Sequence, residues 1–177
     1  MQTFKISEAV NSEEFTFPSV IGLTGPKGVG KSTFAQKIGG EILSLSLPIK
    51  KMLEVIIPSK YLYDLKEEQI PGFPEGITAR HCLQTLGTEW GRAMHPDIWI
   101  TPVHDRIADL IAWASATDHQ SFRCVVDDIR FPNEAKMIHD LGGEVWRIKR
   151  DSYEPLEDSH SSECGLPEDQ IDKEISV

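Results

Sequence analysis

Short apolar runs bounded by glycine or proline alternate along this chain with segments whose apolar residues recur at helical spacing. Residues 19–24 form the first such run and predict a buried parallel strand. The next segment carries Phe34, Ala35 and Ile38 on one helical face, and Gly39 with Gly40 predicts its end. A strand followed at once by a helix indicates an α/β protein.

The same pattern continues to about residue 148. It predicts further strands over residues 42–47, 122–126 and 144–148, of which the last is the final strand that the pattern indicates. It predicts helices from Pro48 to about residue 57, over residues 101–116, from Pro132 to Leu141, and along a stripe of Leu83, Leu86, Trp90 and Met94. Residues 1–17 show little periodicity and predict an extension or an edge segment.

A glycine-rich motif joins the first strand to the first helix. Residues 25–32, Gly-Pro-Lys-Gly-Val-Gly-Lys-Ser, match the phosphate-loop spacing of glycine, four residues, then Gly-Lys-Ser. Such a loop turns backbone N–H groups towards a phosphate, and the following helix adds its N-terminal dipole. In that arrangement Lys31 reaches the β- and γ-phosphates and the Ser32 hydroxyl is a Mg²⁺ ligand. Lys27 is either a second phosphate contact or a solvated side chain.

Two carboxylates follow the strand at residues 122–126. A phosphate-loop protein needs an acid at the end of a neighbouring strand for its Mg²⁺ shell, and Asp127 and Asp128 both qualify. Adjacent side chains of a strand point in opposite directions, so only one of the two faces the phosphates. Arg130 comes two residues later, at the edge of the sheet where a second phosphate would lie.

Composition narrows the function classes. The 177 residues include 40% hydrophobic and 26% charged residues, as expected for a globular protein, and the net charge of −10 argues against nucleic-acid binding. Nine acids and Lys173 give residues 151–177 a net charge of −8, which leaves 19 acids and 17 bases in the rest of the chain. The acidity therefore lies mainly in the C-terminal segment.

Cysteine content and the N-terminus indicate a cytoplasmic protein. Three widely spaced cysteines, Cys82, Cys124 and Cys164, predict free thiols in a reducing compartment. The first residues lack the apolar stretch of a signal peptide, and no window approaches the roughly 18 apolar residues of a membrane span.

Several other residue types have both a structural and a functional interpretation. Arg80 and Arg92 lie twelve residues apart, about three and one third turns of α-helix, so spacing alone favours surface arginines over a shared site. The four tryptophans lie on apolar stripes or strands, which favours core positions, and Trp99 is the candidate for contact with a base. The role of His160 stays open between loop capping and an active site.

Six motifs in order, of which the phosphate loop is the first, resemble those of the phage-type deoxynucleoside monophosphate kinases. After the phosphate loop come Thr-Ala-Arg at 78–80, Leu-Gln-Thr-Leu-Gly-Thr-Glu-Trp-Gly-Arg at 83–92, Asp-Ile-Trp at 97–99, Asp-Ile-Arg-Phe-Pro-Asn-Glu-Ala at 128–135 and Asp-Ser-His-Ser-Ser-Glu at 158–163. The phosphate loop occurs in many nucleotide-binding proteins, whereas the blocks at 83–92 and 128–135 are more specific. Together the matches cover most of the chain.

This resemblance implies an α/β P-loop fold of three layers, with a central, mainly parallel sheet and helices on both faces. The length of the chain predicts one domain over residues 1–177. Within it we expect a mobile substrate-binding insertion at about 58–100, because prolines and glycines concentrate after Pro58, and an acidic C-terminal segment at 151–177. The implied reaction transfers the γ-phosphoryl group of Mg·ATP to a deoxynucleoside 5′-monophosphate, which gives ADP and a deoxynucleoside diphosphate. We expect ATP and the monophosphate as partners, and no nucleic-acid or membrane partner. The expected location is the cytoplasm, which is the host cytoplasm if a phage encodes the chain. A homodimer is one option for assembly.

The resemblance also implies roles for individual residues. Lys31, Arg130 and Asp128 are the expected catalytic residues, and Ser32 with Asp128 is the expected metal-binding pair. The expected ATP-binding residues are Gly25, Lys27, Gly28, Val29, Gly30, Lys31, Ser32 and Thr33. The expected substrate-binding residues are Arg80, Gln84, Arg92, Trp99, Asp128 and Arg130.

Other classes of phosphate-loop protein fit less well. A kinase for a sugar, an acid or a coenzyme precursor would not need several arginines for one acceptor phosphate. A regulatory GTPase would carry an Asn-Lys-x-Asp motif, which this sequence lacks, and its one Asp-x-x-Gly match, at residues 140–143, falls at a predicted helix end.

Overall fold

A computed structural model describes the backbone of residues 3–5 and, in full, residues 18–117, 122–150 and 165–177. Its strands are β1 (Thr3–Lys5), β2 (Val20–Thr24), β3 (Glu41–Leu43), β4 (Cys124–Val126), β5 (Glu144–Lys149) and β6 (Lys173–Ser176). Its α-helices are α1 (Lys31–Ile38), α2 (Leu47–Leu53), α3 (Ser59–Tyr63), α4 (Ala79–Gln84), α5 (Ile100–Ala116) and α6 (Pro132–Asp140). A π-helical segment, Thr85–Arg92, continues α4, and a 3₁₀ turn, Glu168–Gln170, precedes β6.

The six strands form one sheet in the order β1-β6-β5-β2-β4-β3, and every neighbouring pair is parallel. Strand β2 lies between β5 and β4, with Ile21 beside Glu144 on one side and Val125 on the other. All five residues of β2 are buried, as its unbroken apolar run predicts. The α/β class and the parallel sheet expected from the sequence are therefore confirmed.

Helices cover both faces of this sheet. Helix α1 packs Phe34, Ala35 and Ile38 into a core that also contains Trp146 and Ile175. On the opposite face, α6 packs against β2, where a Cβ added to Gly22 would lie 3.0 Å from Cγ1 of Ile138. Glycine at this position lets the helix approach the strand closely.

The chain divides into two compact units. Unit 1 comprises Met1–Ser44 and His104–Val177 and contains the sheet, whereas unit 2 comprises Leu45–Val103. Unit 2 has its own apolar core, which includes Leu62, Ile70 and Trp99. The predicted insertion at 58–100 falls within unit 2, and its mobility stays a prediction.

Two predicted elements are markedly shorter in the structure, and one strand was not predicted. The strand expected at 42–47 ends at Leu43, because helix α2 already begins at Leu47, where Pro48 fits the first turn of a helix. Helix α2, expected to reach about residue 57, ends at Leu53. Strand β6 was not predicted, since its sequence Lys-Glu-Ile-Ser lacks an apolar run. The edge segment expected in residues 1–17 is confirmed in part, because β1 pairs with β6 at the edge of the sheet.

The helical stripe at 83–94 is helical but not regular. Trp90 and Met94, expected on the buried face, are 45% and 63% exposed. The π-helical segment explains the difference, because its wider turn rotates the residues after it relative to an α-helix.

The described cysteines are free thiols. Neither Cys82 nor Cys124 forms a disulfide, and Cys164 lies outside the described residues. Burial, together with the negative charge of Glu41, raises the pKa of the Cys124 thiol to about 12, although Arg106 acts in the opposite direction. Cys124 is therefore a packing residue of β4 without thiolate chemistry.

Within the described ranges, no helix has both the length and the apolar character to cross a membrane.

Glu174 of β6 is a buried carboxylate with two cationic partners, Arg147 and Lys149 of the neighbouring strand β5. Burial raises the pKa of the Glu174 carboxyl, but the hydrogen bonds and positive charges of Lys149 and Arg147 outweigh burial, so its pKa lies below the usual value. A carboxyl with a lowered folded-state pKa stabilises the fold above its unfolded-state pKa. That stabilisation is lost as the pH falls through the folded-state pKa.

We predict that Glu174→Gln lowers the free energy of unfolding at pH 7 by about 1–2 kcal/mol, the scale of hydrogen bonds between charged groups. The difference between the two proteins should shrink as the pH falls towards 3, because the wild-type carboxyl becomes protonated. Urea unfolding at several pH values measures both effects. Glu168→Gln, at an exposed partner of the same Arg147, is the control and should change the stability by less than about 0.5 kcal/mol. A Glu174→Gln deficit that is constant across this pH range contradicts the prediction.

Candidate phosphate-binding site

The phosphate loop joins β2 to α1 and depends on its glycines. Gly25 has φ of 135°, and a Cβ added there would lie 2.5 Å from the backbone oxygen of Ile148 in β5. Gly30, at the start of α1, has φ of 112°. Only glycine adopts such backbone angles without strain. Val29 is buried in the core of unit 1 and anchors the loop between these two turns.

Lys31 lies over the loop that precedes it. Its Nζ donates hydrogen bonds to the backbone oxygens of Gly25, at 2.7 Å, and Pro26, at 3.0 Å. The same Nζ lies 3.5 Å from Oδ1 of Asp128, and the Lys31 side chain is only 10% exposed. The ammonium group is thus held at the mouth of the loop by partners that a phosphate can replace.

Asp128 joins Lys31 to Arg130. Its Oδ2 accepts a hydrogen bond from Nε of Arg130 at 2.8 Å, while its Oδ1 faces Lys31. The neighbouring Asp127 instead donates its backbone N–H to the oxygen of Leu43 in β3, at 3.1 Å. The Asp128 carboxylate thus contacts both expected catalytic cations.

Glu134 holds the backbone around Arg130. Its Oε2 accepts hydrogen bonds from the backbone N–H groups of Arg130, at 2.7 Å, and Phe131, at 3.0 Å. The residue is buried and lies at the third position of α6, where a glutamate completes a capping arrangement. Sequence reasoning did not give Glu134 this role, although the Pro-Asn-Glu start of the helix was a usable signal.

A cleft of about 350 Å³ opens beside the phosphate loop within unit 1. The described residues that line it include four cations, Lys27, Arg130, Arg147 and Lys149, and one carboxylate, Glu168. Sequence reasoning missed Arg147 and Lys149. The alternation of apolar and cationic residues along β5 could have identified them. Trp146 and Ile148 are buried on the face of the sheet that α1 covers, and the two cations point to the other face.

The cations from β5 have carboxylate partners. Nη1 of Arg147 contacts Glu168 and lies 3.3 Å from Oε1 of Glu174, and its Nη2 donates to the backbone oxygen of Leu166 at 3.1 Å. Lys149 pairs with Glu174. These partners fix the Arg147 guanidinium at the cleft, and the cleft keeps an excess of cationic over acidic lining residues.

The remaining residues of the phosphate loop lie between β2 and the first turn of α1. Ser32 and Thr33 lie exposed on the first turn of α1, next to Lys31. Gly28 has φ of 81° and Lys27 lines the cleft. In the described part of the chain, no three His, Cys, Asp or Glu side chains cluster where they could hold a metal ion.

The other predicted substrate-binding residues belong to unit 2. Arg80 lies at the start of α4, where its guanidinium pairs with Glu67 at 2.9 Å. Arg92 lies at the end of the π-helical segment and donates to the backbone oxygen of Pro96 at 3.3 Å. Gln84 is partly buried on α4. His160 lies outside the described residues.

Trp99 is a core residue of unit 2. It is 5% exposed, and its indole Nε1 donates a hydrogen bond to the backbone oxygen of Gly87 at 2.7 Å. Its ring centroid lies 6.4 Å from that of the exposed Trp90. This burial favours a packing role for Trp99 over the predicted contact with a base.

The chain is similar to several known proteins. Residues 62–176 match the family model of the deoxynucleotide monophosphate kinases. A protein of Acanthamoeba polyphaga mimivirus that is named as a deoxynucleotide monophosphate kinase is 32% identical over 170 residues, which cover 83% of this chain and 81% of that protein. The deoxynucleoside-5′-monophosphate kinase of Escherichia phage T5 is 27% identical over 124 residues, which cover 67% of this chain and 46% of that protein.

Among solved structures, a dephospho-CoA kinase from Campylobacter jejuni is 18% identical. The match covers 76% of this chain and 68% of that one, with a TM-score of 0.34.

We predict that Lys31→Ala weakens the binding of ATP by roughly tenfold to hundredfold, the range expected for the loss of a charge-assisted hydrogen bond. Isothermal titration calorimetry with a non-hydrolysable ATP analogue measures the change. Lys37→Ala is the matched control, because Lys37 is an exposed lysine in the last turn of the same helix. Equal affinities of the Lys31→Ala and Lys37→Ala proteins would show that Lys31 does not hold the donor.

Proposed function

Because this chain belongs to the deoxynucleotide monophosphate kinase family, we propose that it transfers the γ-phosphoryl group of Mg·ATP to a deoxynucleoside 5′-monophosphate. The products are ADP and a deoxynucleoside diphosphate. The observation that carries this proposal is the phosphate loop whose Lys31 is held beside Asp128 and Arg130, at a cleft lined by further cations.

The cations supply most of the catalysis in this proposal. Phosphoryl transfer between two nucleotides brings two polyanions together, so an enzyme must mainly position them and neutralise their charge. Lys31 and the backbone N–H groups of the loop bind the β- and γ-phosphates of the donor. Arg130 can turn its planar guanidinium to the transferred group when phosphate competes for it with Asp128. Glu134 keeps the Arg130 backbone in place during this exchange.

The donor atoms at the loop also fit Mg²⁺. The Ser32 hydroxyl lies on the first turn of α1, and the Asp128 carboxylate lies at the end of β4, so both offer the oxygen ligands that Mg²⁺ prefers. Bound there with the phosphates, the ion would neutralise charge on the β- and γ-oxygens. Asp128 has the additional task of holding Lys31 and Arg130 through its two carboxylate oxygens.

The acceptor is assigned to unit 2. Arg80, Gln84 and Arg92 lie on one continuous helix formed by α4 and the π-helical segment, and they match the motifs of the family. Arginines bind a terminal phosphate in a planar, bidentate way that a neutral acceptor does not require. We therefore propose a monophosphate as the acceptor and not a sugar.

The proposal includes the surroundings of the enzyme. ATP and the deoxynucleoside monophosphate are its partners, and the net charge of −10 gives no basis for binding nucleic acid. We place the reaction in the cytoplasm, where both nucleotides are available.

Purified protein with Mg·ATP and a panel of ribo- and deoxynucleoside monophosphates tests the proposed function. We expect ADP and a diphosphate product with at least one deoxynucleoside monophosphate, measured by ion-exchange chromatography. Removal of Mg²⁺ with EDTA should abolish the product. Absence of product with every nucleotide, or faster turnover with a sugar acceptor, would refute the proposal.

Arg130→Ala should lower kcat by at least about a hundredfold, because it removes a guanidinium that stabilises developing charge. Arg106→Ala is the control. Arg106 is half exposed on α5 and pairs with Glu41 of β3, and neither residue belongs to the phosphate loop or lines the cleft. Its kcat should stay within about twofold of the wild type. Similar losses in both variants would mean that Arg130 has no specific part in turnover.

A further inference from the structure

The helix at residues 79–94 turns every fourth residue from Ala79 towards the core of unit 2. Ala79, Gly87 and Gly91 are buried, and Leu83 packs against the same core of unit 2. Each residue of an α-helix rotates by about 100°, so positions twelve residues apart would lie roughly 120° apart around its axis. Ala79 and Gly91 are twelve residues apart and yet both face the core, so this helix turns less than an α-helix does.

The π-helical segment accounts for this slower rotation. A π-type turn closes i to i+5 hydrogen bonds and takes up about one residue more than an α-turn, which rotates the following residues back by roughly 100°. Residues twelve apart across such a turn then lie within about 20° of each other. Arg80 and Arg92, which a regular α-helix would point in different directions, therefore lie on one side of the helix.

This rotation produces a row of four polar side chains. Arg80, Gln84, Thr88 and Arg92 are spaced by four residues, as the buried row is, and each follows a member of that row by one position. All four are partly buried, which is what a row at the margin of a buried face requires. Thr88 thereby joins the arginines, although the sequence analysis gave this threonine no role of its own.

Trp99 holds the π-helical segment against the core. Its buried indole donates to the backbone oxygen of Gly87, in the middle of the segment, at 2.7 Å. A Cβ added to Gly91 would lie 2.4 Å from the Trp99 ring, so the segment approaches the indole as closely as only glycine permits. One side chain thus contacts both glycines of the segment.

We propose that Trp99 is a positioning residue that keeps residues 85–92 π-helical, and that the resulting row of Arg80, Gln84, Thr88 and Arg92 binds the acceptor monophosphate. Thr88 supplies a hydroxyl to the phosphate between the two arginines. The inference rests on the proposed kinase function. In this inference Trp99 does not contact the base, as the sequence suggested, but acts on acceptor binding through the backbone of the π-helical segment.

Trp99→Phe is the primary test, because phenylalanine keeps an aromatic ring but cannot donate to Gly87. We expect the KM for the deoxynucleoside monophosphate to rise at least tenfold, with kcat and the KM for ATP within about twofold of the wild type. Calorimetric titration with the monophosphate alone should show the same loss of affinity. Trp113→Phe, at a tryptophan half exposed on α5, is the matched control and should change neither constant.

Thr88→Val tests the row without touching the core. Valine keeps the size of threonine and removes its hydroxyl, and we expect the KM for the monophosphate to rise about fivefold. Thr85→Val is the matched control, because a π-type turn holds roughly 4.4 residues, so three positions place Thr85 about 115° from Thr88 around the same segment. Its KM should stay within twofold of the wild type.

The outcomes separate this inference from the proposed function. Wild-type protein that phosphorylates no monophosphate refutes the function. An active wild type with an unchanged KM in Trp99→Phe, or with parallel losses in both substrates and in kcat, refutes the positioning role of Trp99. Equal KM values in Thr88→Val and Thr85→Val refute the row, even where Trp99→Phe fails to fold.

Discussion

The phosphate site depends on carboxylates that hold its cations in place. Asp128 contacts both Lys31 and Arg130, and Glu174 contacts both Arg147 and Lys149. Cations collected at one cleft repel each other, and carboxylates between them offset that repulsion. Because the side chains are already in place, little reorganisation is needed when phosphate arrives. The same contacts make Asp128 and Glu174 structural as well as electrostatic residues.

The parallel sheet brings these groups together. The phosphate loop follows β2, Asp128 and Arg130 follow β4, and Lys149 ends β5. In parallel neighbours the carboxyl ends of the strands meet at one edge, which is where ligands of open α/β sheets bind. The close approach of Gly25 to the backbone of Ile148 shows how tightly the loop fits against β5. The order of the strands is therefore a condition for the site.

Glycine has a different task in each unit. In unit 1, Gly25 and Gly30 adopt backbone angles that turn the loop. In unit 2, Gly87 and Gly91 leave room for the Trp99 indole against a helix. In unit 1 the spacing of the glycines is itself a known motif. In unit 2 the role of the two glycines is apparent only from their contact with Trp99.

The sequence by itself determined the strand β2, the phosphate loop, helix α1 and the acidic residue after β4, because each depends on neighbours in the chain. Backbone angles at glycine, helix starts at proline and the apolar run of a buried strand are local properties. Only the tertiary structure decided that β6 joins the sheet, that Arg147 and Lys149 line the cleft, and that residues 85–92 are π-helical. Strand β6 is stabilised by pairing with β5, and the π-helical segment by an indole twelve residues beyond Gly87. Contacts between distant residues decide the pairing of β6 and the π-helical form of residues 85–92, and no spacing within those two segments encodes either feature.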